Sequence, residues 1–438
     1  MKKIAFIGAG SFDFTRELVR DILSFPAFEG IELALMDIDS QRLDFSRRAC
    51  EKIVAAGKYR AAVTATSNRA EALKGADGVL ITILSGGASV FRNDVEIPKK
   101  YGIDICVGDT RGPSGIFRFL RTAPVMLDIC RDIEKLCPDA VVLNYTNPMA
   151  MLCRYLQSET NLKITGLCHS VQGTAEMLAR WIGADFENIS FLCAGINHQA
   201  FYLKYLNNGK DAYPDIARAV QKPEVYGEEM VRCEMYKNLG YFPTESSGHN
   251  SEYNPWFRKN SAEIEKYCTH GTGWNPGKHA YILNEYLERE HTWQNDIKNW
   301  LNEDEICVKR GKEYAAYIFN AIFGDHTPFQ FNGNLRNFGL IDGLPEGCCV
   351  EVPAVACKDG VFPMHVGKLP PQLNILIGNS AQCEELAVNG CIAGDREMIY
   401  HAILFDPLTT TQLDMAATRK MTGELFDANR SLLPQFYK

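Results

Sequence analysis

The chain has 438 residues, a net charge of −8 and 46% hydrophobic residues, which suits a globular protein of two or three domains at about 150 residues each. It carries no basic block or lysine-rich arm, so nucleic acid and anionic membranes are poor partners. No run approaches the roughly 18 apolar residues of a membrane span, and Met1-Lys2-Lys3 leads directly into a strand, unlike a secretory signal. Fifteen cysteines, an odd number without CxxC pairs, point to a reduced, cytoplasmic protein rather than a disulfide framework.

Lys3 to Ile7 is a short apolar run ending in Gly8-Ala9-Gly10-Ser11, and a helical pattern (Thr15, Leu18, Val19, Ile22) follows. This is a strand, a glycine turn and a helix N-terminus. Gly8 permits the turn, Gly10 lets the backbone approach a diphosphate, and the free N–H groups beyond Ser11 meet its charge. Asp13 stands where the full fingerprint has a third glycine. The second strand, Ile31 to Met36, runs into Asp37. A carboxylate there accepts from ribose hydroxyls and repels a 2′-phosphate, which favours NAD over NADP.

A helix is expected over residues 42–55, then a weak strand over 62–66, a short helix over 70–73 and a continuous apolar strand over 78–83. The last ends in Leu84-Ser85-Gly86-Gly87. An amphipathic helix is expected over 122–136, then a buried strand over 140–143 running into Asn144-Tyr145-Thr146-Asn147-Pro148, a helix over 149–157 and a strand over 163–167 ending in Cys168-His169. The alternation predicts an α/β fold with an N-terminal, Rossmann-type doubly wound sheet over residues 1–195. Residues 196–438 read as a helix-rich α+β domain for substrate, metal and oligomerisation, with helical segments at 228–239, 281–301 and 310–323 and a strand at 348–352.

Polar clusters at strand ends face the crevice where α/β proteins bind ligands. They are Asp109, Asn147, Cys168-His169 and Asn197-His198. If these converge, one thiolate and one imidazole could hold a divalent metal; otherwise Cys168 is a buried thiol and His198 a hydrogen-bonded core histidine. Thr244 to Phe257 is densely polar yet aromatic, as sugar sites often are, and as a solvated loop with anchoring aromatics also is.

Several long motifs occur in a fixed order: Gly8-Ala9-Gly10-Ser11, Leu35-Met36-Asp37-Ile38-Asp39, Asn144 to Met151, Gly166 to Thr174, Cys193 to His198, Thr244 to Tyr253, Gly339 to Asp342 and Val350-Glu351. Together they resemble the NAD- and manganese-dependent glycosidases of glycoside hydrolase family 4, and within it the bacterial α-galactosidases. Family 4 stands outside the two-carboxylate scheme of most glycosidases. The resemblance implies hydrolysis of an α-galactoside by NAD-dependent oxidation at C3, proton abstraction at C2, elimination, water addition and re-reduction. It implies Cys168 and His198 as ligands of Mn²⁺ and Tyr253 as the base, with a phenol tuned downward by metal or cation. Asn147 would bind sugar hydroxyls, and His169 or Asp109 would be the acid. Homodimers or homotetramers are expected on the same ground.

Arg111 and Ser114 depart from the branch's Asp-Thr-Leu-Gly-Pro-Gly-Gly, and Gly248-His249 stands for Glu-His. Arg111 and His249 are therefore candidate substrate contacts. An arginine near the sugar would favour a uronide; alternatively it points to solvent or to the cofactor diphosphate. An α-glucosidase or α-galacturonidase of the same family is the second reading. A 2-hydroxy acid dehydrogenase and a non-catalytic NAD sensor are the readings from other classes.

Overall fold

The computed structural model describes residues 2–270 and 275–437. The strands in chain order are β1 (Lys3–Ile7), β2 (Ile31–Met36), β3 (Ala61–Thr66), β4 (Gly78–Ile81), β5 (Val141–Asn144), β6 (Ile164–Gly166), β7 (Ile189–Ile196), β8 (Gln199–Asn207), β9 (Lys210–Asp211), β10 (Phe329–Arg336), β11 (Ile341–Asp342), β12 (Cys349–Cys357), β13 (Gly360–Pro363) and β14 (Gly367–Lys368). Twelve of them form one sheet in the order 3-2-1-4-5-6-10-12-7-8-9, with β13 beside β12. Strands β1 to β6 are parallel and carry the Rossmann order 3-2-1-4-5-6. The expected doubly wound sheet is present.

From β6 onward the sheet is antiparallel. β10 joins β6 through Asn334 opposite Gly166, and β12 joins β7 through Glu351 opposite Gly195. Gly166 is required at the first joint. A Cβ there would lie 2.5 Å from Met149 Sδ and 2.9 Å from Asn334 Cβ, closer than packed atoms can sit.

Side chains alternate across β1, as a sheet buried on both faces demands. Ala5 and Ile7 face the helices Gly112–Leu136 and Met149–Glu159 and the C-terminal helices that supply Val388, Ile399 and Leu425. Ile4 and Phe6 face the helix Tyr314–Phe323, which brings Ala315, Ile318 and Phe319 back onto the first half of the chain. The helix expected over 122–136 begins at Gly112, because Pro113 sits in its first turn and its opening turns are buried all round, which erases the amphipathic pattern. A helix at Gly87–Lys100 follows β4 where only a loop was expected. Its left-handed start at Gly86 and Gly87 and its internal Pro98 conceal it in sequence. All fifteen cysteines are unpaired, and among the described residues no helix is long and apolar enough to cross a membrane.

Phe319 closes on β4 so tightly that a Cβ on Gly78 would meet its ring at 2.7 Å. Phe319→Ala should therefore cost about 3–5 kcal/mol, read as a lower denaturant midpoint in a urea titration. An unchanged midpoint would show that this helix does not tie the two halves together.

Candidate active site

A cleft of about 1330 Å³ runs along the carboxyl edge of the parallel strands. At one end is the glycine turn. Gly8 has φ +90°, and a Cβ on it would lie 2.3 Å from the Thr82 carbonyl oxygen. Gly10 donates its N–H to Asp37 Oδ2 at 2.7 Å, and Asp39 donates to Asp37 Oδ1 at 2.9 Å. Each oxygen of Asp37 keeps a lone pair for a ligand. Ser11 stands at the N-cap of the helix Phe12–Leu23 without bonding it through its side chain, so its hydroxyl is free. The tight glycine turn, which has no room for a Cβ at Gly8 or Gly10, the helix N-terminus and Asp37 fit a dinucleotide.

At the other end the predicted clusters converge. Asn147 follows β5, Cys168 follows β6, and His198 lies in the turn between β7 and β8. Cys168, His198 and Glu245 each place a ligand atom within 4.8 Å of the others, as do Asp109, His198 and His249. His198 has φ 62° and Glu245 φ 64°. Each left-handed non-glycine residue costs about 1–3 kcal/mol, a strain that gathers at functional sites.

The hydrogen bonds assign the His198 tautomer. Burial would raise the Asp109 carboxyl, but His249, His198 and Arg118 bring it below its ordinary range, so it is ionised and accepts only. Thr110 donates to Asp109 Oδ1 at 2.8 Å, which leaves the threonine oxygen to accept from His198 Nδ1, also at 2.8 Å. Burial lowers His198 to about 4, so the ring is neutral and Nε2 carries a lone pair. That lone pair faces Glu245 Oε2 at 3.4 Å. Burial also pushes the Cys168 thiol well up, assisted by Glu351 and Glu245. Glu351 is fully buried, neither of its oxygens has a partner, and burial together with Glu245 raises it to about 8. Several lone pairs aimed at one another, one nitrogen, one sulfur and a carboxylate, fit a divalent cation.

The loop that carries Asp109 is pinned from behind. Glu252 accepts the N–H groups of Cys106, Val107 and Gly108 at 3.0, 3.1 and 2.8 Å. Its neighbour Tyr253 is 1% exposed, its hydroxyl has no partner, and its ring lies 6.0 Å from that of His249. The Arg111 guanidinium sits 4.8 Å from the Tyr253 ring. Burial, then Asp109 and Glu252, push the phenol well above its ordinary value, and Arg111 works in the opposite direction.

His169 lines the cleft at the start of the helix Ser170–Ile182. Its Nε2 meets Glu313 Oε1 at 2.7 Å and its ring stacks on Tyr145. Burial works against its charge, but Glu313, with Glu245 and Glu17, turns the net shift upward. His249 lines the cleft as well, between Ser246 and Asp109. Arg111 does not. It is buried against the Asn197 carbonyl at 2.6 Å and Glu384 Oε1 at 2.9 Å, so it points neither to solvent nor to the glycine turn. Glu245, Glu351 and Thr110 were not singled out by sequence. Glu245 and Glu351 lie in motifs that stood out as wholes, and only convergence gives them a part in the cluster.

A Rossmann sheet whose cleft ends in a buried cation-type cluster defines a dinucleotide-binding enzyme architecture. Residues 3–184 match the family model described as family 4 glycosyl hydrolase, and residues 193–409 match the model for that family's C-terminal domain. The chain belongs to glycosyl hydrolase family 4, as its motifs led us to expect. It is 37% identical over 445 residues to an α-galactosidase of Bacillus subtilis (strain 168), with 100% of both chains covered. To an α-galactosidase of Rhizobium meliloti (strain 1021) it is 33% identical, covering 99% of this chain and 89% of the relative. In fold it is similar to a 6-phospho-α-glucosidase from gut microorganisms in complex with NAD and Mn²⁺, with a TM-score of 0.82, 18% identity and 99% of both chains covered.

A divalent cation held through Cys168 should bind more tightly at about pH 8 than at about pH 6, because a thiol must lose its proton to ligate. His198 contributes nothing to that slope, since at about 4 it is already unprotonated across the range. Calorimetric titration with Mn²⁺ at both pH values would measure it, and Cys168→Ala should weaken binding and flatten the difference. An unchanged slope in Cys168→Ala would remove the thiol from the site.

Proposed function

We propose that this family 4 enzyme is an α-galactosidase that uses NAD and Mn²⁺ and returns both unchanged. One observation carries the cation half of this reading: the unprotonated His198 Nε2 faces the Glu245 carboxylate with Cys168 beside it. The two full-length α-galactosidase relatives support the substrate. In this reading Cys168, His198 and Glu245 hold the cation, and Gly8, Gly10, Ser11 and Asp37 hold the dinucleotide. Residues 1–195 serve the dinucleotide, and the remainder completes the sugar site. Bound there, the nicotinamide would accept and return a hydride and the cation would stabilise negative charge on sugar oxygens.

The chain's own groups divide the remaining work. Asn147, Asp109 and His249 line the cleft beside the cluster and orient the sugar hydroxyls. Their side chains offer both donors and acceptors, as a hydroxyl-rich ligand needs. His169 holds the proton for the leaving oxygen. Its Nε2 is committed to Glu313, so the proton leaves from Nδ1. Tyr253, buried beside His249 and just outside the cleft lining, takes the C2 proton on its unpartnered oxygen once its own phenolic proton has passed to solvent. Its raised phenol keeps that oxygen protonated until positive charge enters the site. Arg111 does not line the cleft, and its Nη2 is held by Glu384 and the Asn197 carbonyl, which supports the neutral galactoside over the uronide.

Hydrolysis of nitrophenyl α-galactoside in D₂O, with NAD⁺, Mn²⁺ and a thiol reductant present, should place deuterium at C2 of the released sugar. Tyr253→Phe should lose on the order of 10²–10⁴ in rate while keeping its affinity for NAD⁺. Sugar with no deuterium at C2, together with undiminished turnover by Tyr253→Phe, would overturn the elimination route. At the cofactor end, NAD⁺ should bind more tightly than NADP⁺, and Asp37→Ala should narrow the difference in a calorimetric titration. A preference of the unmutated protein for NADP⁺ would contradict the role given to Asp37.

A further inference from the structure

The helix Tyr281–Leu301 belongs to the second half of the chain, yet it lies over the outer end of the dinucleotide cleft. There it packs against the helix Ser40–Ala56, and Asp37 and Ile38 line the same cleft. Trp293 reaches the cleft wall. Its ring packs edge-on against Phe45 at 5.7 Å, and the Arg42 guanidinium lies 4.4 Å over its face. Arg42 follows Asp37 by one turn of chain and also lines the cleft. So does Ile38, which is 90% exposed.

The helix is tied down from below. Lys52 Nζ donates to the carbonyls of Trp300 and Leu301 at 3.0 Å each and to that of Glu303 at 2.5 Å. A cation on the free carbonyls of a helix C-terminus is the favourable polarity. Gln294 Nε2 adds a bond to Gln41 Oε1 at 3.1 Å. Two elements far apart in sequence are thus fixed at one width, with an aliphatic side chain on one side and a guanidinium–indole stack on the other.

Asp37 sets what belongs between them. In a Rossmann cleft the carboxylate that ends the second strand takes the adenosine ribose, so the base attached to that ribose falls beside Ile38 and Arg42. A purine is flat, apolar on its faces and polarisable. An exposed isoleucine and the face of a guanidinium stacked on an indole match those faces. We propose that Ile38, Arg42 and Trp293 form the adenine seat, with the second half of the chain supplying one wall of it through Trp293. This rests on the reading of the cleft as an NAD site. Its consequence is retention: a cofactor gripped at both ends stays through an oxidation and the matching reduction.

The test is calorimetric titration of NAD⁺ and of ADP-ribose, which carries the adenosine but no nicotinamide, into the full chain and into Trp293→Ala and Trp293→Phe. Trp293→Ala should weaken both ligands about tenfold, the scale of a lost base stack, and Trp293→Phe should restore most of the loss. Mn²⁺ affinity, set at the far end of the cleft, should not move. Affinities for NAD⁺ and ADP-ribose within about twofold of the unmutated protein would overturn the seat, since a base stack is worth more than that. So would a parallel fall in Mn²⁺ affinity, which would mark a general structural defect. If the unmutated protein bound neither NAD⁺ nor ADP-ribose, the cofactor reading itself would fall, an outcome distinct from an intact affinity that Trp293→Ala leaves untouched.

Discussion

His198 Nε2 and Glu245 Oε2 face each other at 3.4 Å, and the Thr110 hydrogen bonds put the ring's only proton on the opposite nitrogen. Two lone pairs at that distance, buried, with Cys168 beside them and the unpartnered Glu351 carboxyl behind, repel one another. Low local dielectric makes such an arrangement costly unless positive charge offsets it. Raised Cys168 and Glu351 and lowered His198 share one first cause, burial, which in each favours the uncharged form. Left-handed backbone at both His198 and Glu245 is further free energy stored in the same place.

That cluster exists only because the sheet does not stop at β6. Cys168 stands at the end of a parallel strand, His198 at the tip of an antiparallel hairpin, and Glu351 in β12 between them. The joint at Gly166 and Asn334 brings the antiparallel half into register with the parallel half. The helix Tyr314–Phe323 then returns from the second half to cover β1 and β4. The two halves are therefore neighbours through hydrogen bonds and core packing at once. A cation site assembled from both is held by the stiffest part of the molecule, with Glu245 in the loop that packs against it.

The loop around Asp109 shows how an exposed role is secured by buried charge. Glu252 accepts three successive backbone N–H groups, charge-assisted bonds that are stronger than neutral ones. Asp104 is held in the same way from Arg258, which bonds its backbone oxygen at 2.8 Å and its carboxylate as well. Between these anchors the chain has little freedom, and Asp109 and Thr110 are delivered to His198 in a fixed geometry. Arg111, next in sequence, turns the other way to Glu384. Adjacent residues in an extended loop point to opposite sides, so neighbours in sequence serve different surroundings.

The sequence by itself determined the glycine turn, the carboxylate at Asp37, the parallel strands and the placing of Asn147, Cys168 and His198 at strand or hairpin ends. These follow from local rules: glycine conformational freedom, the period of two along a strand and the direction of a parallel sheet. It also determined the family, through long motifs in order. Tertiary structure alone decided the rest. Glu245 joined the cluster across 77 and 47 positions from Cys168 and His198, and Glu313 set the proton on His169 from the far half of the chain. Trp293 met Arg42 across the cleft, while Arg111 found Glu384 and left it. Charge, burial and partnership at these positions are properties of contacts between distant segments, and no periodicity along the chain records which segments will meet.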